Sequence, residues 1–170
     1  RFLDNEFPHC IEMARAFVQP KYQSAAGGRK ALFALDNLWD GIGGLIATDP
    51  TVKYLSGKVT IYSTSPEMSR KAMVYYLDMS FGDREGLITS KNPETCTPEQ
   101  AAFFKELFTG ADYKENYAIL NNYVKSLGDS IPPFIHLYIG LSPTMKTFGT
   151  TFDPDFGDCY DTAMIITTDD

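Results

Sequence analysis

Two charged residues stand close together in an apolar stretch near the start of the sequence, Glu12 and Arg15 in CIEMARAFV. Burial among apolar neighbours raises the pKa of a carboxylate toward neutrality, which would make Glu12 a general base. Side chains alternate along a strand, so Arg15 faces away from Glu12 unless a β-bulge brings the two together. Arg15 would then bind a substrate carboxylate through two hydrogen bonds, or pair with Glu12. The two residues are therefore either a catalytic pair or a buried structural ion pair.

A second group of residues follows, at the turn between this strand and the next helix. Small side chains let the backbone approach a ligand closely, and the free N–H groups and dipole of a helix N-terminus favour an anion. A phosphate or pyrophosphate is the expected ligand, and a flexible connection without a ligand is the alternative. The turn comprises Gln23, Ser24, Ala25, Ala26, Gly27, Gly28, Arg29 and Lys30, of which the last two add positive charge.

Strands and helices alternate in the sequence around these residues. We predict a strand at 10–18, and the spacing of apolar residues in 29–48 predicts a helix. A strand at 53–63 and a helix from 66 to about 79, with Ser65 as its N-cap, complete a βαβα unit whose strands are expected to be parallel neighbours. The remaining predictions are helices at 97–108 and 112–127, a loop at 148–158 and a final strand at 159–168. The apolar segment 134–141 is either a helix or a strand, and we favour a short helix that begins at the proline pair.

Two of these helices begin with capping signals, Thr97 with Gln100 and Asp112 with Glu115. Both are amphipathic and rich in aromatic residues. We therefore expect them to cover a face of the sheet or to line a hydrophobic tunnel.

Composition limits the classes of protein that the chain can belong to. Its 170 residues suit a single domain, 1–170, of mixed α/β class with a central sheet flanked by helices. The net charge is −7, yet residues 1–75 carry nine basic and seven acidic side chains. The acidic second half argues against nucleic-acid binding, whereas the first half suits an anionic partner or is ordinary solvated surface. Three scattered cysteines indicate reduced thiols in a cytoplasmic protein, with no metal site expected.

Residues 18–32, VQPKYQSAAGGRKAL, resemble the cofactor-binding motif of the GNAT acyltransferases. Gln23, Ala26 and Gly28 take its three signature positions, with Ala26 where the family usually has glycine. EMARAFV is similar to the Glu-x-x-Arg-x-Phe/Trp-Val segment of the N-acyltransferases of ornithine and glycine lipids. That hemolysin-like branch is distantly similar to the acyl-homoserine-lactone synthases. LSGKVTIYSTSPEMSRKAMVYYL and IPPFIHLYIGLSPTMKTFGTTFDPDFGD resemble further blocks of the branch.

The resemblance covers most of residues 8–168 in order, and it implies a GNAT-like fold. The N-terminal strands of that fold would precede residue 1, so the chain is expected to be a C-terminal portion, with a helical insertion at about 97–128. Sheets of this family commonly carry a bulge near the strand at 10–18. The resemblance therefore supports the convergence of Glu12 and Arg15.

The resemblance also implies transfer of a fatty acyl group to the amine of a small amino acid. The donor would be the phosphopantetheine thioester of an acyl carrier protein or coenzyme A, a substrate and not a tightly bound cofactor. Backbone N–H groups at Phe17 and Val18 are expected to bind the oxyanion. Tyr62 and Ser63 either protonate the leaving thiolate or serve packing and capping.

Partners follow from the same resemblance. An acidic acyl carrier protein would dock on the basic first half of the chain. A lipid product would suit a peripheral contact with the inner face of the membrane. Two alternatives stay open: a catalytically inactive GNAT-like module that binds an acyl carrier or a membrane partner, and an O-acyltransferase that acts on a lysophospholipid.

Overall fold

The computed structural model describes residues 1–15, 17, 19–20 and 34–169, with residues 34–36 described by their backbone alone. Its sheet contains β1 (Cys10–Met13), β2 (Tyr54–Tyr62), β3 (Lys146–Asp153) and β4 (Cys159–Thr167), in the spatial order β1–β2–β4–β3. β1 is parallel to β2, and β4 is antiparallel to both β2 and β3. The helices are α1 (Phe2–Asn5), α2 (Ala34–Thr48), α3 (Glu67–Phe81), α4 (Pro98–Leu107), α5 (Tyr113–Ser126) and α6 (Pro133–Leu141).

This architecture confirms the predicted mixed α/β class, with helices around a central mixed sheet, and it is consistent with a GNAT-like fold. The parallel pairing of the first two strands is confirmed as well. The helix predicted at 134–141 corresponds to α6, and the final strand corresponds to β4.

One face of the sheet, here called the packed face, carries the hydrophobic core. Leu55, Val59 and Ile61 of β2 are buried on it, and Met164 and Ile166 of β4 lie beside them. These residues alternate with polar ones, as expected for a strand that is buried on one side only. The alternation therefore decides which face the helices cover.

The other face, here called the open face, carries Ser56, Lys58 and Thr60 of β2, with Asp161 and the buried Ile165 on β4. Lys58 and Thr60 both bond to Asp161 on the neighbouring strand, and the Thr60 hydroxyl donates to the Asp161 carboxylate at 2.6 Å. The hydrogen bond to Asp161 is the main reason that the pKa of Lys58 is raised. Tyr62 is exposed at the end of β2.

Helix α3 covers the packed face, and α4 and α5 pack against α3. The aromatic residues that join these three helices, here called the aromatic layer, include Tyr75, Tyr76, Phe104, Phe108 and Tyr117. Tyr75 stacks on Phe108 with ring centroids 5.9 Å apart, and Tyr76 lies 6.0 Å from Tyr117. The main contacts of α4 and α5 are with α3. Phe104, Leu120 and Val124 of these two helices belong to the same hydrophobic core as Val59 and Ile61 of the sheet.

The predicted helix caps have mixed outcomes. The Thr97 hydroxyl accepts from the Gln100 amide at 3.2 Å, and the Thr97 amide donates to the Gln100 side chain at 3.0 Å, so this capping box is confirmed. Asp112 caps α5 by accepting from the amides of Lys114 and Glu115. Ser65 is not the N-cap of α3, because that position belongs to Pro66, which makes no side-chain capping bond.

The loop predicted at 148–158 was wrong in its first half, because β3 runs to Asp153. Glycine and the Asp-Pro pair in this stretch are typical of turns, which obscured the strand. Gly149 takes a φ of +84° where the pairing shifts between Thr147 and Thr150, a conformation that glycine adopts without strain. The Thr150 and Thr162 hydroxyls then bond across the strands at 2.7 Å. Cross-strand partners far away in sequence thus form β3.

Candidate active site

The first strand is shorter than the predicted strand at 10–18, because β1 ends at Met13. Its last pair is Met13 with Gly57, whereas β2 continues to Tyr62. On the β1 side, no strand of the described residues pairs with Lys58–Tyr62. We call the surroundings of this last pair the β1 end. Because no described strand pairs with them, the backbone N–H and C=O groups of Lys58–Tyr62 are suited to an extended ligand that carries amides of its own.

Glu12 lies one residue before the last pair of β1, opposite Ser56 in the register. Its side chain is exposed, and among residues 1–15 and the rest of the described chain it forms no ion pair. Among the described residues, Glu12 therefore lacks the apolar surroundings expected from the sequence. Because strand residues alternate, Glu12 lies on the open face and Met13 lies on the packed face.

Arg15 has a φ of +57°, which places it in the left-handed region. This conformation is uncommon for a residue other than glycine and costs about 1–3 kcal/mol, so such residues cluster at functional sites. The backbone does leave the regular strand here, as a bulge would require. Arg15 and Glu12 form no ion pair, and both are exposed. The alternative of a buried structural ion pair is therefore excluded by the exposure of both side chains.

The whole predicted phosphate-binding turn lies outside the described residues. This holds for Val18 and for all residues from Gln23 to Lys30. Phe17 is described, and 73% of its side chain is exposed. The described part of the following helix begins at Ala34. The roles of these residues stay predictions.

On the packed face, the β1 end meets a tyrosine that the sequence analysis did not select. A Cβ built on Gly57 would lie 2.8 Å from the Tyr138 hydroxyl oxygen and 3.6 Å from Cε of Met13. The hydroxyl therefore rests against the backbone of Gly57. Tyr138 is 3% exposed, and burial raises the pKa of its phenol. A glycine inside β2 was the available signal, since glycine in a strand often marks a close approach.

Trp39 of α2 packs edge to face on Tyr138, with ring centroids 5.7 Å apart. Its indole Nε1 is buried and has no hydrogen-bond partner within the described parts of the chain. No hydrogen bond of the Tyr138 hydroxyl is found among those parts either. A buried indole donor without an acceptor and a tyrosine hydroxyl with no hydrogen bond among the described residues therefore belong to two rings that are in contact at the β1 end.

A cavity of about 340 Å³ lies on the packed face near the opposite edge of the sheet, between α3, β3 and residues 93–96. Val74, Leu77 and Ala101 supply apolar walls, and Thr150 supplies a hydroxyl that is already bonded to Thr162. Burial raises the pKa of the Cys96 thiol, which also lines the cavity. A thiol held protonated in apolar surroundings is a filler and not a nucleophile.

Salt bridges join residues 93–96 to α3. Lys71 Nζ lies 2.8 Å from a Glu94 carboxylate oxygen, and Arg70 Nε lies 3.5 Å from the same oxygen. The Arg70 guanidinium also stacks on Tyr160, 4.1 Å from the ring centroid. Because each charge has a partner, this cluster has a structural role.

Two further searches concern only the described residues. No group of three His, Cys, Asp or Glu side chains there is arranged to hold a metal ion. No described helix is both long and apolar enough to cross a bilayer.

Comparison with curated proteins finds two relatives of the same name. The chain is 43% identical over 172 residues to the glycine N(alpha)-acyltransferase of Bacteroides thetaiotaomicron, covering 99% of this chain and 50% of that protein. It is 42% identical over 165 residues to the glycine N(alpha)-acyltransferase of Phocaeicola vulgatus, covering 97% of this chain and 50% of that protein. The chain therefore spans about half the length of these relatives. No family model and no solved structure matches it.

Proposed function

We propose that the protein containing this chain is an N-acyltransferase that moves a fatty acyl group from a phosphopantetheine thioester to the amine of glycine or a similar small amino acid. The observation that carries the proposal is the 43% identity to a glycine N(alpha)-acyltransferase across nearly the whole chain. The geometry of the β1 end supports it, because two exposed charged residues, Glu12 and Arg15, lie beside a strand edge with which no described strand pairs.

The amine of an amino acid is protonated at neutral pH and cannot attack a thioester. A base must therefore remove a proton, directly or through one water molecule. Glu12 is the proposed base. It stands one residue before the last pair of β1, so a thioester bound beyond that pair lies beside it.

Arg15 is the proposed anchor for the carboxylate of the amino acid. Its guanidinium is exposed and forms no ion pair with any carboxylate of the described chain, so its five donors remain available for a substrate. Its left-handed backbone turns the chain out of the sheet immediately after β1. The amine of the bound amino acid would then lie close to Glu12.

The donor would bind along the strand edge and at the turn that precedes α2. Pantetheine is an extended chain with two amide groups, and the edge at Lys58–Tyr62, with which no described strand pairs on the β1 side, offers backbone partners for them. Its phosphate would bind at Ser24–Lys30, with Gln23 at the entrance of the turn, as predicted from the sequence. An acyl carrier protein, if it is the donor, would dock on the basic first half of the chain.

The decisive test is substitution of the proposed base in the full-length protein that contains this chain. We expect Glu12→Gln to lower kcat by roughly 10²–10⁴, because general-base catalysis contributes that much. Mass spectrometry of the N-acylglycine formed from an acyl carrier protein or coenzyme A thioester measures the rate. Donor binding should persist in the variant.

The matched control is Glu106→Gln, because Glu106 is an exposed glutamate of α4, away from the β1 end. Its rate should equal that of the wild type. Absence of any N-acyl product from the wild-type protein with either donor would refute the proposal. Acylated phospholipid as the product would instead support the lysophospholipid O-acyltransferase.

A further inference from the structure

The Trp39 indole N–H at the β1 end is buried and has no acceptor among the described residues. The Tyr138 hydroxyl rests against the backbone of Gly57. The indole ring of Trp39, which carries this N–H, packs edge to face on the Tyr138 ring. A buried polar group without a partner costs about 1–3 kcal/mol. Such groups are uncommon in folded proteins and call for a ligand or a catalytic role.

The kind of acceptor follows from charge. Both donors are neutral, and a carboxylate or phosphate bound against them would stay an uncompensated buried charge, which is strongly unfavourable. A carbonyl oxygen is neutral in the ground state and gains negative charge only when its carbon is attacked. Neutral donors in a dry site stabilise that developing charge without binding the ground state as strongly.

The position agrees with this acceptor. Gly57 is the last residue of β2 that pairs with β1, so the hydroxyl lies where the two strands stop pairing. Glu12 lies on the open face of the same sheet end. A thioester at this point would have the base on one side and the two donors on the other.

We propose that the Tyr138 hydroxyl, with the Trp39 indole N–H beside it, donates hydrogen bonds to the carbonyl oxygen of the acyl thioester, an inference that rests on the function proposed above. The amine nitrogen attacks the carbonyl carbon and loses a proton to the base, and the carbonyl π electrons move to the oxygen. The two donors hold this oxyanion. When the oxyanion collapses, the C–S bond breaks and the leaving thiolate takes up the proton that the base removed from the amine, while the amide C–N bond remains.

The first test removes the hydroxyl while keeping the ring. Tyr138→Phe in the full-length protein should lower kcat by roughly 100-fold, the effect of losing one oxyanion donor. Its KM for glycine should stay within about twofold, because the lost interaction exists only in the transition state. Trp39→Phe should lower kcat by about tenfold. An unchanged kcat in Tyr138→Phe overturns the inference, and so does a raised KM with kcat intact.

The second test displaces the hydroxyl without removing it. Gly57→Ala would place a methyl group 2.8 Å from the hydroxyl oxygen, so the phenol must move. Gly57→Ala and Tyr138→Phe should therefore each lower kcat. The double variant Gly57→Ala/Tyr138→Phe should be no slower than Tyr138→Phe alone. Full additivity of the two effects would show that the methyl group acts elsewhere and would contradict the inference.

The third test separates the carbonyl oxygen from the leaving sulfur. An aryl thioester donor, whose thiolate leaves without being protonated, should leave Tyr138→Phe as impaired as before relative to the wild type. Full recovery with this donor would assign the hydroxyl to the sulfur and reject the oxyanion role.

The structural control is Tyr76→Phe, since Tyr76 is a buried tyrosine whose hydroxyl donates to the Tyr113 carbonyl at 2.9 Å. It should lower the Tm and leave kcat unchanged. Tyr138→Phe should show the reverse, a retained Tm and a lowered kcat. If the wild type makes no product, the proposed function fails, whereas an active Tyr138→Phe variant defeats this inference alone.

Discussion

The aromatic layer and the β1 end both bury a tyrosine, but they treat its hydroxyl differently. Tyr76 donates to the Tyr113 carbonyl at 2.9 Å and is surrounded by rings of α3, α4 and α5. Tyr138 has a hydroxyl against the backbone of Gly57 and no acceptor among the described residues. The aromatic layer is thus complete by itself and contributes stability. The β1 end leaves the Trp39 indole N–H without an acceptor among the described residues, as the proposed contact with a substrate requires.

The largest effect is expected in the aromatic layer. Phe104 is fully buried and contacts Tyr75 and Tyr123. Phe104→Ala should lower the free energy of unfolding by about 3–5 kcal/mol, because it removes a buried ring and leaves a cavity. Urea denaturation measures this loss. KM for both substrates should be unchanged at a temperature where the variant is folded. A raised KM at that temperature would show that the aromatic layer also contributes to substrate binding, which contradicts the comparison.

Alkaline pH should reduce the stability that the buried tyrosine of each region contributes. Burial raises the pKa of Tyr76 and of Tyr138, whereas tyrosines of the unfolded chain ionise near pH 10. Above that pH the unfolded state loses protons that the folded state keeps, so the free energy of unfolding falls as pH rises. Each tyrosine contributes at most about 1.4 kcal/mol per pH unit.

Urea denaturation between neutral and strongly alkaline pH checks this dependence. Tyr76→Phe and Tyr138→Phe should each make the loss of stability shallower above pH 10. At neutral pH only Tyr76→Phe should be less stable than the wild type, by about 1 kcal/mol. An equal loss at neutral pH in both variants would show that the Tyr138 hydroxyl has a structural acceptor.

The smallest change in the free energy of unfolding is expected at Arg15. It is an increase, whereas the variants of the aromatic layer lower this free energy. Arg15→Gly should raise the free energy of unfolding by about 1 kcal/mol, because glycine takes a positive φ without steric cost. The KM for glycine should rise by about tenfold or more through loss of the charged hydrogen bonds. Asp158→Gly is the matched control, since Asp158 also has a positive φ, +51°, and precedes Cys159, which pairs with Tyr62 and not with the Met13–Gly57 end of the sheet. Its KM should not change, and an unchanged KM in Arg15→Gly would argue against the anchor.

Helices were predicted well from the sequence because their signals are local. The Thr97–Gln100 box spans one turn, and α6 begins at the proline pair as expected. The strands were predicted less well. β1 ends at Met13 although apolar residues continue, and β3 forms although its residues resemble a loop. Strand length depends on partners elsewhere in the chain, which no short window contains.

The candidate site divides in the same way. Glu12 and Arg15 stood out because charge in an apolar strand is unusual, and the structure places both at the β1 end. Tyr138 did not stand out, because a tyrosine in an apolar helix is ordinary core. Its importance appears only when α6 sets its hydroxyl against Gly57 of β2.

By itself, the sequence determined the type and approximate limits of most helices, the amphipathic alternation of β2 and the charged residues of the first strand. Periodicity, capping and charge are properties of neighbouring residues, so they are present before the chain folds. Only the tertiary structure decided the strand order β1–β2–β4–β3, the early end of β1 and the meeting of Tyr138, Gly57 and Trp39. Those features depend on contacts between distant segments, which form when the packed face is buried as a whole.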